Sequence, residues 1–190
     1  MRKISAQIRK SAAAAKPHAP DALADLSAEF QARLLTEPQY VAGYWPIKTE
    51  IDPRPLMMAL QLAGHRLCLP ATPEPGLPLT FHAWSGAAEE LIEGPYKTYQ
   101  PDPNLPVIQP DLVLAPLLAF DAGCWRLGYG GGFYDRTLAK FEADGHKAQL
   151  IGLAFAEQQV ESVPTGRYDR QLNGIFTPDG LVLAEINLNH

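Results

Sequence analysis

A run of glycines between two arginines holds the residues best suited to chemistry. The run consists of Gly128, Tyr129, Gly130, Gly131 and Gly132. Glycines let the backbone approach an anion closely, and the guanidinium groups of Arg126 and Arg136 match the geometry of phosphate oxygens. A Walker A loop needs a following lysine, and the dinucleotide fingerprint fails where Phe133 replaces its last glycine. The run therefore predicts a phosphate-binding turn of another kind, with a strand-to-helix turn that binds nothing as the alternative.

The elements on either side of the glycines predict a position at a sheet edge. Residues 111–115, which are apolar after Asp111, predict a central strand, and residues 133–142 predict a helix that begins directly after the glycines. In open α/β sheets, ligands bind beyond the carboxyl ends of the strands, where the amides of a helix start favour anions. Asp135 adds a carboxylate in the first helical turn. This carboxylate fits either of two roles: it is a suitable ligand for Mg²⁺ beside phosphates, and it is also a common first-turn acid that interacts favourably with the helix dipole.

Strands and helices alternate along the chain. Helices are predicted at residues 2–15, 21–35 and 56–63, the second capped by Asp21, and further strands at 40–45, 66–70, 79–84, 150–155 and 175–177. This order is typical of the α/β class. It predicts a single three-layer domain over residues 1–190, with a mostly parallel sheet flanked by helices.

Residues 1–16 are predicted to form a basic amino-terminal helix. Residues 1–20 carry five bases and no acid, whereas the whole chain has 16 bases and 21 acids. Such an arm is compatible with anion binding, organelle targeting or a solvated helix face. Without a long apolar run or a second basic patch, we expect no membrane span and no nucleic-acid partner. Cys68 and Cys124 suit reduced core thiols, and we expect a cytoplasmic monomer that binds small molecules.

Four motifs stand out along the chain. The first two are YWPIKTEIDPRPL at residues 44–56 and QPDP at residues 100–103. The third is FD at residues 120–121 with RLGYGGGFYDR at residues 126–136. The fourth is GLAFAEQ at residues 152–158, with VP at residues 163–164 and Asp169 after it. In their residues and their order, these motifs resemble the 5-formyltetrahydrofolate cyclo-ligase family, also called methenyltetrahydrofolate synthetase. The resemblance extends over nearly the whole chain.

The resemblance implies an enzyme that uses Mg-ATP to close 5-formyltetrahydrofolate to 5,10-methenyltetrahydrofolate, through a phosphorylated formyl group. It implies ATP binding by Lys3, Arg9, Arg126, Gly128, Tyr129, Gly130, Gly131, Gly132, Phe133, Tyr134, Asp135 and Arg136. The folate is expected on Glu50, Tyr96, Tyr129 and Phe133. Arg126 and Tyr134 are expected to be catalytic, and Asp135 and Asn173 to hold magnesium.

Three positions depart from the family's pattern. Ser5 stands in the first helix where a lysine is usual, so Lys3 or Lys10 would have to supply that charge. Asn173 falls on a position that is often acidic and offers a metal an uncharged carbonyl oxygen, and Phe133 stands where many members have tyrosine. Two other functions stay open: a phosphosugar isomerase-like enzyme of the same fold type, and a non-catalytic protein that binds folate or a nucleotide.

Overall fold

The structure, a computed structural model, describes residues 1–95 and 98–184. Its α-helices are α1 (Arg2–Ala15), α2 (Ala19–Asp25), α3 (Ser27–Leu34), α4 (Arg54–Leu62) and α5 (Phe133–Ala143). Pro20 and Pro55 lie in the first turns of α2 and α4, where a missing N–H costs no helical hydrogen bond. Short 3₁₀ turns lie at Ala88–Glu90 and Ala156–Gln158. Within the described ranges, no helix has both the length and the apolar character that crossing a membrane requires.

Most strands join one central sheet. The strands are β1 (Tyr40–Ala42), β2 (Arg66–Ala71), β3 (Thr80–Trp84), β4 (Leu91–Glu93), β5 (Tyr99–Pro101), β6 (Val107–Ile108), β7 (Leu112–Pro116), β8 (Ala119–Phe120), β9 (Arg126–Leu127), β10 (Gln149–Leu153), β11 (Gly174–Thr177) and β12 (Gly180–Leu183). The main sheet has the order β12-β11-β10-β7-β1-β2-β3-β6. The strands from β11 to β2 are parallel, and β12, β3 and β6 pair antiparallel toward the edges. Hairpins β4–β5 and β8–β9 stand outside it.

Strand β7 shows that the sheet is covered on both faces. Leu112 and Leu114 pack in a cluster with residues of α2, α3 and α4, whereas Val113 and Ala115 pack in the cluster that contains Phe141 of α5. The four strand residues are at most 1% exposed. Because successive side chains of a strand point to opposite faces, this alternation builds three layers. The predicted α/β class with a mostly parallel sheet is confirmed.

Two predicted boundaries were wrong. The helix expected at residues 21–35 is two helices that meet at Leu26, and Asp21 lies inside the first turn of α2 rather than capping it. The bend leaves Leu23 and Phe30, one on each helix, fully buried. The strand expected at residues 40–45 is only three residues long, Tyr40–Ala42. After Ala42 the chain leaves the sheet and enters the loop that precedes α4.

Two leucines of α4 test how this helix packs. Leu60 is fully buried, whereas Leu62 is 91% exposed. Leu60→Ala should lower the free energy of unfolding by about 2–5 kcal/mol, because burial is lost and a cavity remains. Leu62→Ala, the same chemical change on the same helix, should alter it by less than about 0.5 kcal/mol. Urea unfolding measures both, and equal effects would contradict the buried face assigned to α4.

Candidate functional site

The glycine turn at residues 128–132 follows the hairpin that stands beyond the carboxyl end of β7. Strand β7 ends at Pro116, hairpin β8–β9 follows, and α5 begins directly after Gly132. Gly130 and Gly132 have φ angles of 98° and 64°, which side chains disfavour. A Cβ atom on Gly131 would lie 2.9 Å from the Phe133 ring. Gly130 and Gly132 are therefore needed for the shape of the turn, and a side chain at position 131 would displace the ring of Phe133.

Arg126 and Asp135 form an ion pair across this turn. The Nη2 atom of Arg126 donates to Oδ1 of Asp135 at 2.6 Å, and its Nη1 atom donates to the carbonyl of Arg170 at 2.9 Å. The backbone N–H of Arg170 donates to the same Oδ1 atom at 3.2 Å. In the part of the chain that the structure describes, no donor contacts Oδ2 of Asp135. The pair fixes β9 against α5 and leaves one carboxylate oxygen available.

A second carboxylate, Asp121, shapes the turn that delivers Arg126. Its Oδ1 atom accepts the N–H groups of Gly123 at 3.0 Å and Trp125 at 3.1 Å. Its Oδ2 atom accepts the N–H group of Val163 at 2.9 Å. Asp121 is 8% exposed, so these bonds are largely shielded from water. One buried side chain thus connects the β8–β9 hairpin with the late loop that brings Arg170 to the ion pair.

Arg9 of α1 and Glu50 form a buried ion pair above the carboxyl ends of β7 and β10. Nη1 of Arg9 lies 3.6 Å from Oε1 of Glu50, and both side chains are 3% exposed. Nε of Arg9 donates to Oγ1 of Thr49 at 3.2 Å, and Nη2 donates to the hydroxyl of Tyr129. The last residues of β7 and β10 line the gap beneath the pair. Because Tyr129 belongs to the glycine turn, Arg9 links that turn to Glu50.

Burial governs the protonation of two groups in the site. Removal from water raises the pKa of Glu50, and the N–H of Ile47 and the guanidinium of Arg9 lower it only in part. Burial and then the charge of Glu50 raise the pKa of Tyr134, which the charge of Arg126 lowers in part. The phenol of Tyr134 therefore stays protonated near neutral pH. It is a hydrogen-bond donor within electrostatic range of both Glu50 and Arg126.

The remaining predicted residues occupy different places. Arg136 donates to the carbonyl of Gly131 at 2.7 Å and its guanidinium lies 5.2 Å from the centre of the Phe133 ring. Lys3 is exposed on α1. Tyr96 lies outside the described residues. The arginines and glycines expected to bind ATP thus gather around one turn, whereas nothing in the structure places Lys3 there.

Asn173 is engaged elsewhere in the structure. Its Oδ1 atom accepts the N–H of Leu150 at 2.7 Å, and its own N–H donates to the carbonyl of Leu150 at 2.8 Å. Leu150 lies near the amino end of β10, whereas the glycine turn follows the carboxyl end of β7, which runs parallel to β10. The side-chain oxygen that was expected to bind a metal therefore accepts a hydrogen bond from the backbone of β10 instead. The structure does not bring it to Asp135.

Arg2, rather than Lys3, contacts the glycine turn. Its Nε atom donates to the carbonyl of Gly128 at 3.1 Å. Helical spacing was the signal that could have found it, because Arg2, Ser5 and Arg9 are three and four residues apart and share a face of α1. Ser5 and Arg9 are 3% and 2% exposed, so this polar face is the one that packs against the protein.

The molecule is therefore an α/β protein with an arginine-flanked glycine turn beyond the carboxyl end of a central strand in a mostly parallel sheet. The family model described as the 5-formyltetrahydrofolate cyclo-ligase family matches residues 2–178, and the chain belongs to this family. Membership confirms the resemblance and the prediction of an enzyme.

Curated relatives agree with this assignment. The 5-formyltetrahydrofolate cyclo-ligase of Escherichia coli (strain K12) is 33% identical over 172 residues, which cover 84% of this chain and 91% of the relative. That of Haemophilus influenzae is 34% identical over 146 residues, which cover 72% of this chain and 74% of the relative.

Solved structures share the fold. The NMR structure of Aquifex aeolicus 5,10-methenyltetrahydrofolate synthetase aligns with a TM-score of 0.69 at 22% identity, over 98% of this chain and all of that one. The 5,10-methenyltetrahydrofolate synthetase of Mycoplasma pneumoniae aligns with a TM-score of 0.67 at 22% identity, over 93% and 97% of the two chains. At this level of identity the two structures establish the architecture.

The protonation of Glu50 can be measured directly. In ¹³C-glutamate-labelled protein, Glu50 should titrate above the ordinary glutamate pKa, because burial disfavours its charge. Arg9→Met should raise its pKa further. Glu157 is an internal control, because its hydrogen bond with Lys16 lowers its pKa. A Glu50 carboxyl that titrates at or below Glu157 would contradict the electrostatics described here.

The same shift has a consequence for stability. The folded state binds the Glu50 proton more tightly than the unfolded chain does. The contribution of Glu50 to the free energy of unfolding therefore decreases as the pH rises from the ordinary glutamate pKa to the raised pKa of the folded state.

Proposed function

We propose that the chain is an ATP- and Mg-dependent 5-formyltetrahydrofolate cyclo-ligase, which forms 5,10-methenyltetrahydrofolate and releases ADP and phosphate. The family supports the folate reaction, because the Escherichia coli relative carries that name. The observation that carries the proposal is the position of Arg9, which contacts both Tyr129 of the glycine turn and Glu50. A triphosphate on the turn and a folate on Glu50 would meet at one edge of the sheet.

The chemistry explains why a triphosphate is needed. The formyl carbon is a poor electrophile because the N5 lone pair is delocalised into its carbonyl group, and the oxygen leaves badly as hydroxide. In the proposed reaction the formyl oxygen attacks the γ-phosphorus and ADP leaves. N10 then attacks the formyl carbon, its proton passes to solvent, and the C–O bond breaks as phosphate departs with the electron pair. For the protein, such a reaction demands positioning and charge stabilisation.

The residues around the turn suit these demands. The backbone amides of residues 128–132 and the guanidinium groups of Arg126 and Arg136 would balance the charge of the phosphates. The protonated hydroxyl of Tyr134 is suited to donate a hydrogen bond to an oxygen that gains charge. Glu50 would accept hydrogen bonds from the ring nitrogen and amino group of the pterin. Since Glu50 is 3% exposed, Arg9 or Tyr129, which both contact it, would move when folate binds.

Asp135 fits the proposed magnesium ion, and Asn173 does not. Mg²⁺ is usually held by one or two carboxylates together with substrate phosphates and water. The open Oδ2 atom of Asp135 beside the glycine turn meets that need, whereas the side-chain oxygen of Asn173 pairs with Leu150. When bound, the ion would neutralise charge on the phosphates. Among the described residues, no group of three or more His, Cys, Asp or Glu side chains forms a metal site of its own.

A coupled assay tests the proposed reaction. The purified protein, supplied with Mg-ATP and 5-formyltetrahydrofolate, should release ADP and phosphate while the absorbance of the methenyl product rises. Both signals should require both substrates. Folate binding without turnover would instead support the non-catalytic alternative. Binding of a sugar phosphate, with no requirement for ATP, would support the isomerase-like alternative.

Two aspartates, one in the first turn of α5 and one at its carboxyl-terminal cap, test the metal ligand. Asp135→Asn should raise the Mg²⁺ concentration for half-maximal activity by about tenfold or more, because a charged oxygen ligand is lost. Asp144→Asn is the matched control, since Asp144 caps the far end of α5 and pairs with Lys140. The control should keep the Mg²⁺ dependence of the wild type. An unchanged requirement in Asp135→Asn would remove Asp135 from the metal site.

A further inference from the structure

The glycine turn carries no charge of its own, so its cations must come from neighbouring elements. Residues 128–132 hold four glycines and Tyr129. Two of the surrounding guanidinium groups are already paired with carboxylates: Arg9 lies 3.6 Å from Glu50, and Arg126 lies 2.6 Å from Asp135. Much of the positive charge of these two arginines is therefore offset before any anion arrives.

Two other arginines contact the turn without such a partner. Arg136 donates to the carbonyl of Gly131, and Arg2 donates to the carbonyl of Gly128. Within residues 1–95 and 98–184, neither arginine forms an ion pair with a carboxylate. Arg2 comes from α1 and contacts Gly128 at the start of the turn, whereas Arg136 comes from α5 and contacts Gly131 near its end. Among the described residues, Arg2 and Arg136 are thus arginines that contact the turn with a charge not offset by a carboxylate.

The position of Arg2 is set by the packing of α1. Ser5 and Arg9 lie on the same face of this helix and are almost fully buried, which directs the side chain one turn earlier toward the glycines. The Arg2 guanidinium lies within 3.6–3.8 Å of the point that a Cβ atom on Gly130 would occupy. Arg2 uses its Nε atom for the hydrogen bond to Gly128. The two terminal amino groups of a guanidinium can donate to two phosphate oxygens, so this contact leaves the groups that suit a phosphate available.

We propose that Arg2 is a phosphate ligand of the nucleotide site, which clamps the triphosphate from α1 opposite Arg136. The proposal rests on the proposed function, because it assigns the triphosphate to the glycine turn. It also accounts for Ser5. Where the helix lacks a lysine at that position, a guanidinium three residues earlier on the same face supplies the positive charge.

Two substitutions at Arg2 test the clamp. Arg2→Ala should raise the KM for ATP by about tenfold or more, because a charge-assisted contact is lost. Arg2→Lys should lie between the alanine variant and the wild type, since lysine keeps the charge but loses the planar fork. The KM for 5-formyltetrahydrofolate, and kcat at saturating ATP, should stay within about twofold of the wild type if Arg2 contributes uniform binding of ATP. Lys147→Ala is the control, because Lys147 is exposed near the opposite end of the sheet.

Inorganic tripolyphosphate separates this proposal from the proposed function. Calorimetry should show weaker binding of tripolyphosphate by Arg2→Ala than by the wild type or Lys147→Ala. Equal binding by all three proteins, or an equal rise of both KM values, would overturn the role of Arg2. If the wild type turns nothing over but binds tripolyphosphate in an Arg2-dependent manner, the proposed reaction fails and the phosphate ligand stands. Thermal unfolding of each variant confirms that its fold is intact.

Discussion

The buried ion pair between Arg9 and Glu50 is the interaction on which the site depends. Removing two charges from water is costly, and such a pair persists only when further hydrogen bonds satisfy both groups. Here Thr49, Tyr129 and the N–H of Ile47 provide them. The pair holds α1 against the loop before α4 and against the glycine turn. It thereby connects three segments that are far apart in sequence around one edge of the sheet.

The glycine turn adds a second constraint. Its shape requires positive φ angles at Gly130 and Gly132, so the turn itself has little room for charged side chains. The arginines around it therefore come from α1, β9 and α5. Asp121 and the late loop hold Arg126 in place through hydrogen bonds to backbone groups. A site of this design depends on the register of the whole sheet, since no single loop contains its parts.

The sequence predicted the glycine turn, the helix after it and the central strand before it, because glycine chemistry and apolar runs are local signals. Among the basic residues of α1 it named Lys3 and Arg9, but it did not name Arg2, which contacts the turn. The apolar residue Ile4 of the same helix is 68% exposed, whereas the polar residues Ser5 and Arg9 are buried. Burial of that polar face depends on Glu50 and Tyr129, which lie in distant segments. The hydrogen bonds of Asn173 were likewise invisible, because they depend on the pairing of β10 with β11.

The wide separation of these partners has a consequence for synthesis on the ribosome. Arg2 and Gly128 are 126 residues apart, so α1 emerges long before its partners. At about 5–20 residues per second, the helix waits on the order of ten seconds. During that interval a strongly apolar packing face would invite aggregation. The face that α1 later buries is instead formed by Ser5, Arg9 and Ala12. Because this face is largely polar, it stays hydrated until the rest of the chain has been synthesised.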